Sequence, residues 1–287
     1  MTRNPQSIST FSISADAYQT YRSLRRKFLQ LTVFSVFLPI FTLELVLSHL
    51  SNPFVDQVKV LVRSLNSNQG ARVESFLEVI SPFFSMYLVG LGALMILVFS
   101  GYMGIVKITL SHLRNEHVPS ASEGIIWGLR QFFPKGFLFV CIFILFTFER
   151  FLWGPFWIFS MLIMMAPVLY TAEGGRLWAS IKGSLFSSYV SSEVSSGMNA
   201  AFSLIVFGAL LFFAKSLLDM VARFLLNLDV WFGLARTVWN QGVFDFPFTW
   251  AFFVVNLAGS FLVSMLITSM ALFTCMLYIR ASEKTPL

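Results

Sequence analysis

Residues 246–279 carry no charged side chain, and this run constrains the fold more than any other feature. About 20 mostly apolar residues suffice for a helix to cross the hydrocarbon core of a bilayer. Backbone polar groups in lipid must be bonded within the segment itself, which leaves the helix as the form such a run takes. Applied along the chain, the same rule predicts six spans, at about 28–50, 79–108, 136–152, 155–171, 195–214 and 248–279. The third and fourth share one apolar block. Glu149 and Arg150 interrupt it, followed by Trp153-Gly154-Pro155, which predicts a tight hairpin turn. Lys135 and Arg150 then have to snorkel from the ends of a short third span. The expected fold class is all-α: a polytopic transmembrane helical bundle forming one integral membrane domain over residues 1–287.

Composition agrees. Hydrophobic residues make up 56% of the chain and charged residues 12%. A soluble domain carries about 25% charged residues to cover its surface. The 34 Phe and 7 Trp suit lipid-facing packing and the aromatic belts at both interfaces. A net charge of +6 does not point to nucleic acid, because the basic residues flank apolar runs and form no polar, aromatic-interleaved groove. They read as topology signals and contacts to anionic lipid. Residues 1–27 are polar and lack the apolar core and small-residue site of a cleaved signal peptide, so the first span is expected to stay as an anchor.

Lys and Arg set the orientation. One side holds residues 1–27, the loops near 107–135 and 172–194, and the tail after 279. It carries thirteen of the 20 Lys and Arg; the other side carries seven. That bias predicts a multi-pass inner (cytoplasmic) membrane protein with both termini in the cytoplasm.

Three stretches predict a repeated unit of interfacial helix plus transmembrane hairpin. Their starts are Ser14-Ala15, Ser120-Ala121 and Thr171-Ala172, each followed seven residues after the hydroxyl by an aromatic: Tyr21, Trp127 and Trp178. Each hydroxyl is a candidate N-cap, and Ser120 with Glu123 has the spacing of a capping box. Apolar residues then recur at helical period: Ala17, Tyr21, Leu24, Phe28; Ile126, Leu129, Phe133; Trp178, Ile181, Leu185. Arg22, Arg25, Arg26, Arg130, Arg176 and Lys182 occupy the other faces, the pattern of an amphipathic helix lying in a membrane surface.

The stretch Ala166-Pro167-Val168-Leu169-Tyr170-Thr171-Ala172-Glu173-Gly174, followed by Trp178-Ala179-Ser180-Ile181-Lys182-Gly183-Ser184, resembles a bacterial family of six-span membrane proteins. These are related to the membrane domain that precedes the catalytic part of some glycerophosphodiester phosphodiesterases. The likeness covers most of the chain through loose motifs. It implies an interfacial helix before each hairpin and a scaffold role. Only about eight residues follow the last span, which is too few for the phosphodiesterase barrel, so the likeness implies no such activity here.

Polar groups within or beside the spans are the remaining candidates. Glu44 follows Phe28 by about 24 Å along a helix. That places this candidate intramembrane acid near the outer interface, as a structural residue or a pathway group. Lys215, Asp219 and Arg223 share one helical face and form an outer charged cluster, either a solvated helix extension or the lining of a vestibule. Asn256, Ser260, Ser264 and Thr268 recur every four residues beside Gly259, as small and hydroxyl residues do where helices pack closely in lipid. A polar lining for a substrate path is the other reading, and Gly90, Gly92, Gly101 and Gly104 share that ambiguity. Cys141 and Cys275 lie in apolar runs and read as small hydrophobes. His112, Glu116 and His117 do not have the His-Glu-x-x-His spacing of a zinc helix, and with His49 they read as surface polar groups. Aromatic residues crowd 226–250 and predict an interfacial helix near 229–240.

No Walker A loop or Gly-x-Ser-x-Gly elbow occurs, and no catalytic, cofactor or metal residue is predicted. The expected function is a non-enzymatic helical membrane scaffold contacting membrane lipid or a partner protein. A transporter or permease subunit is the alternative, and an intramembrane lipid enzyme, which needs two convergent ionisable groups, is the third reading.

Overall fold

Apolar runs become long helices in the computed structural model of the chain. It describes residues 10–43, 73–132, 165–174, 176–184 and 250–282, together with residues 206, 207, 209, 210, 213, 217 and 220. No strand occurs among the described residues. In chain order the elements are α1 (Thr10–Ser23), α2 (Arg25–Leu43), α3 (Val73–Leu113), α4 (121–132), α5 (Ala166–Ala172), α6 (Leu177–Lys182) and α7 (Trp250–Ser282). Three of them contain segments long and apolar enough to cross a membrane: Arg25–Leu43, Gly92–Leu113 and Asn256–Arg280. These overlap the first, second and sixth predicted spans. The third predicted span and residues 155–164 of the fourth lie outside the described residues. Of the fifth, residues 206, 207, 209, 210 and 213 are described, all helical.

Local chemistry explains where these helices bend and stop. Between α1 and α2 the backbone at Leu24 leaves the helical region (φ −111°, ψ 16°), and the Ser23 hydroxyl donates back to the Thr20 carbonyl at 2.9 Å. A hydroxyl that bonds the preceding turn favours a bend. Within α2, residues Val33–Phe37 widen into a π turn. Pro39 supplies the cause: it has no N–H for the Ser35 carbonyl, and its ring crowds that oxygen. The C-terminus of α3 closes in a Schellman motif. Asn115 takes a left-handed conformation (φ 55°), its N–H bonds the His112 carbonyl at 3.2 Å, and the Glu116 N–H bonds Ser111 at 2.9 Å.

The repeated unit is corrected at two of its three starts. Ser120 caps α4 as expected. Ser14, however, lies inside α1, which begins at Thr10. Thr171 sits in the last turn of α5 and donates to the Pro167 carbonyl at 2.8 Å. The third helix starts instead at Leu177, after Arg176, with no side-chain cap. Hydroxyl plus alanine does not distinguish a cap from a back-bond to the fourth carbonyl upstream. The expected membrane-facing stripe Ala17, Tyr21, Leu24, Phe28 is corrected as well: Ala17 and Phe28 are buried in the protein core, and Tyr21 and Leu24 pack against it. Ile126 and Trp178, by contrast, are exposed.

The chain divides into two compact units. The first comprises Met1–Val36, Ile96–Lys215 and Ser264–Leu287. Its core joins Phe28 and Leu31 of α2, Met103 and Ile108 of α3, and Phe273 and Leu277 of α7. Phe207 stacks on Phe273 with ring centroids 4.0 Å apart. Glycines set the closest approaches. A Cβ on Gly104 would stand 2.9 Å from both the Gly124 carbonyl carbon and a Leu31 methyl. A Cβ on Gly101 would stand 2.7 Å from the Ser35 Cβ. One on Gly128 would stand 2.2 Å from the Ser100 carbonyl oxygen.

The second unit comprises Phe37–Met95 and Ser216–Val263 and is organised by aromatic rings. Phe37 stacks on Phe41 at 5.7 Å and meets Phe261 edge-on at 6.0 Å. Phe41 meets Phe253 edge-on at 5.4 Å. These are the offset and T-shaped arrangements that ring quadrupoles favour.

Gly128→Ala is expected to destabilise the detergent-solubilised protein by about 1–3 kcal/mol, because backbone rather than a pliable side chain must move. Gly92→Ala, whose added Cβ meets nothing within 4 Å, is expected to be neutral or stabilising. Thermal unfolding of both variants checks this, and equal melting temperatures would refute the close contact.

Candidate functional site

Polar side chains of the first unit gather where the three membrane-length helices present their charged ends. Asp16 of α1 forms an ion pair with Arg280 at the end of α7. Lys27, in the first turn of α2, donates from Nζ to the Val118 carbonyl at 2.9 Å and the Pro119 carbonyl at 3.1 Å. Arg114, just past α3, donates to the Ala172 carbonyl at 3.3 Å and, with the Glu173 carboxylate, lies close enough to the Tyr278 hydroxyl to act on it electrostatically. The Tyr170 hydroxyl donates to Gln131 Oε1 at 3.1 Å. Lys27 and Arg114 thus satisfy carbonyls that a helix end or loop leaves without a partner.

The start of α4 is tied in the same economical way. The Ser120 N–H donates to Glu123 Oε2 at 2.7 Å, and the Glu123 N–H donates to Ser120 Oγ at 3.3 Å. These are the two halves of the capping box read from the sequence. The Ser120 N–H first, and then its hydroxyl, hold the Glu123 carboxyl below the usual carboxylate range; His117 and Lys27 add smaller contributions.

Lower in the spans the polar groups are hydroxyls. Ser260, Ser264 and Thr268 of α7 are all buried. Thr268 Oγ1 lies 2.8 Å from Thr32 Oγ1 and donates to the Ser264 carbonyl at 2.9 Å. Thr274 donates to the Met270 carbonyl and lies 3.4 Å from the Tyr102 hydroxyl. Buried Cys275 has its sulfur 4.0 Å from the Val106 carbonyl. Among the described residues, two buried polar atoms have no hydrogen-bond partner: Ser35 Oγ, in the π turn, and Asn256 Nδ2.

Among the predicted candidates, then, Ser264 and Thr268 belong to the first unit, where Thr268 makes the α2–α7 contact, while Asn256 and Ser260 belong to the second. Gly101 and Gly104 are packing positions. His112 and His117 carry no metal cluster; no group of three His, Cys, Asp or Glu side chains among the described residues is placed to hold a metal ion. Glu44, His49, Cys141, Glu149, Lys215, Asp219, Arg223 and the aromatic segment 226–249 lie outside the described residues.

Sequence reasoning missed Lys27, Arg114, Gln131, Tyr170, Gly124 and Gly128. The glycines had a legible signal, since Gly124 and Gly128 repeat the small-xxx-small spacing of Ser100 and Gly104. The carbonyl ligands of Lys27 and Arg114 had none, because their partners lie 91 and 58 positions away. No family model, curated protein or solved structure matches the chain.

Ser120→Ala is expected to cost roughly 1 kcal/mol of stability. The Glu123 carboxyl has a lowered folded pKa, so its contribution is present at neutral pH and is lost as pH falls through that lowered value. The stability difference between wild type and Glu123→Gln should therefore shrink as pH drops below the ordinary carboxylate range. A difference that persists unchanged in acid contradicts the capping box.

Proposed function

We propose that the protein is a six-span inner-membrane scaffold, with both termini in the cytoplasm, that contacts lipid or a partner protein and catalyses no reaction. The observation that carries this reading is how the described charges are used. Asp16, Lys27, Arg114, Glu123 and Arg280 each bind another protein group, and three of those attachments close a loop or a helix end. Groups fixed in this way set helix positions. The Asp16–Arg280 pair joins residues near the two ends of the chain, which supports termini on one face, and termini on one face need an even number of crossings. The excess of Lys and Arg supports the cytoplasmic assignment. Pro167 in the first turn of α5 and Glu173 at its end suit the proposed kinship with the membrane domain of the glycerophosphodiester phosphodiesterases, in its scaffold role only.

A transporter or permease subunit is the second reading, and the amide of Asn256 favours it. A buried donor without a partner costs free energy in apolar surroundings, and water or a polar solute would relieve that cost.

Proteoliposomes of the purified chain are expected to retain trapped potassium, glycerol and inorganic phosphate as empty vesicles do, with unchanged phospholipid composition. Faster release that Asn256→Leu lowers would establish the transporter reading in place of the scaffold. Altered lipid composition would establish an enzyme.

A further inference from the structure

The three short helices at the charged end share a feature that the scaffold reading does not explain. Each presents an exposed large apolar residue with an exposed basic residue four positions later: Tyr18 and Arg22 on α1, Ile126 and Arg130 on α4, Trp178 and Lys182 on α6. Four residues make about one helical turn, so the two side chains of each pair lie on the same face. Exposure is high for side chains of this kind: 66% at Tyr18, 50% at Ile126 and 73% at Trp178. On α1 the stripe is longer. Phe11, Ala15, Tyr18 and Arg22 follow one another along one face, and Phe11 is 87% exposed. The opposite face of α1 is already used, since Ile13 and Ala17 are buried in the core.

All three helices are held at the same end of the membrane-length segments. Only Leu24 separates α1 from α2, and Asp16 ties α1 to the end of α7. The loop from α3 to α4 is fixed by Lys27 through two carbonyls. Arg114 holds the Ala172 carbonyl, five residues before α6. An aromatic or aliphatic side chain in water loses the favourable transfer that burial would give it. At the headgroup level of a bilayer the same side chain has an apolar boundary beside it, and a cation one turn away meets lipid phosphate.

Resting on the membrane-scaffold reading, we propose that α1, α4 and α6 form a collar that selects anionic phospholipid headgroups. Tyr18, Ile126 and Trp178 sit at the acyl–headgroup boundary, and Arg22, Arg130 and Lys182 contact the phosphates. Phosphatidylglycerol is favoured over zwitterionic phosphatidylcholine because its phosphate charge is uncompensated, whereas the choline ammonium offsets that charge and repels the three cations.

The test uses the full chain in lipid nanodiscs, with brominated phosphatidylglycerol or brominated phosphatidylcholine at equal mole fraction as quenchers of tryptophan fluorescence. Wild type is expected to be quenched at least about two-fold more effectively by the anionic lipid. The triple variant Arg22→Gln, Arg130→Gln, Lys182→Gln should lose that preference, and salt should weaken it in wild type. Equal quenching of wild type by both lipids, or a preference indifferent to salt, overturns the collar whether or not the variant folds. A preference retained by the folded triple variant overturns it too. Inorganic phosphate at matched ionic strength should act no differently from chloride; selective displacement by phosphate would mean a free-anion site and would also overturn the proposal. Solute release from proteoliposomes would remove the scaffold reading while leaving a measured lipid preference standing, so the two failures are distinguishable.

Discussion

Backbone-to-backbone contact between α3 and α4 is the constraint from which the rest of the first unit follows. In a bilayer, apolar side chains gain little by leaving lipid for one another, so close packing and dispersion must hold helices together. That needs residues without bulk at the crossing. Gly124 meets Gly104, and Gly128 meets Ser100, at separations that leave no room for a Cβ on Gly104 or Gly128. Gly101 and Gly104 also receive Leu31 and Ser35 of α2. One short run of α3, residues 100–104, is thereby clasped by two other helices. Once it is clasped, the loop 114–120 has a fixed span, and Lys27 is placed to reach its carbonyls.

Polar groups then serve the same architecture at two depths. Within the apolar segments the hydroxyls of Thr268, Thr274 and Thr109 return to carbonyls of their own helix. Thr32 and Thr268 also meet across helices. Such hydroxyls spend their donors locally and carry no desolvated charge, which suits a medium that penalises unpaired polar atoms. At the charged end, Arg and Lys side chains close carbonyls that helix termini leave open. The cations thus have two roles. Lys27, Arg114 and Arg280 bind inward, whereas Arg22, Arg130 and Lys182 are exposed, and only the second set is proposed to meet lipid.

How much of this was legible follows from the range over which each signal acts. Charge-free runs reveal membrane-length helices directly, because the penalty for a charge in lipid acts residue by residue; α2, α3 and α7 accordingly appear at the first, second and sixth predicted spans. The Ser120–Glu123 box was legible because both partners lie within one turn. Thr171 was misread because its hydroxyl bonds backward to Pro167 inside a helix, and Ser14 because α1 already begins at Thr10; a hydroxyl followed by alanine looks the same in all three places. The stripe containing Ala17 was misread as facing lipid when protein buries it, because periodicity carries no information about which apolar phase lies opposite. Gly124 and Gly128 could have been recognised as a contact face, yet their partner run at Ser100 and Gly104 is set only by the tertiary structure. The π turn was also foreshadowed, since Pro39 removes the donor that the Ser35 carbonyl needs.

The central claim is that small and hydroxyl residues, rather than bulky apolar ones, set the register of these helices in the membrane. Cysteine cross-linking in native membranes tests it most directly, with Cys141 and Cys275 replaced by alanine and cysteines placed at Thr32 and Thr268. Their hydroxyl oxygens are 2.8 Å apart, so mild oxidation should form a disulfide in high yield, found as a linked peptide pair after proteolysis. A cysteine at exposed Phe34 should not pair with one at Thr268. Efficient linkage of Phe34 with Thr268, and none of Thr32 with Thr268, would contradict the register and the packing account built on it.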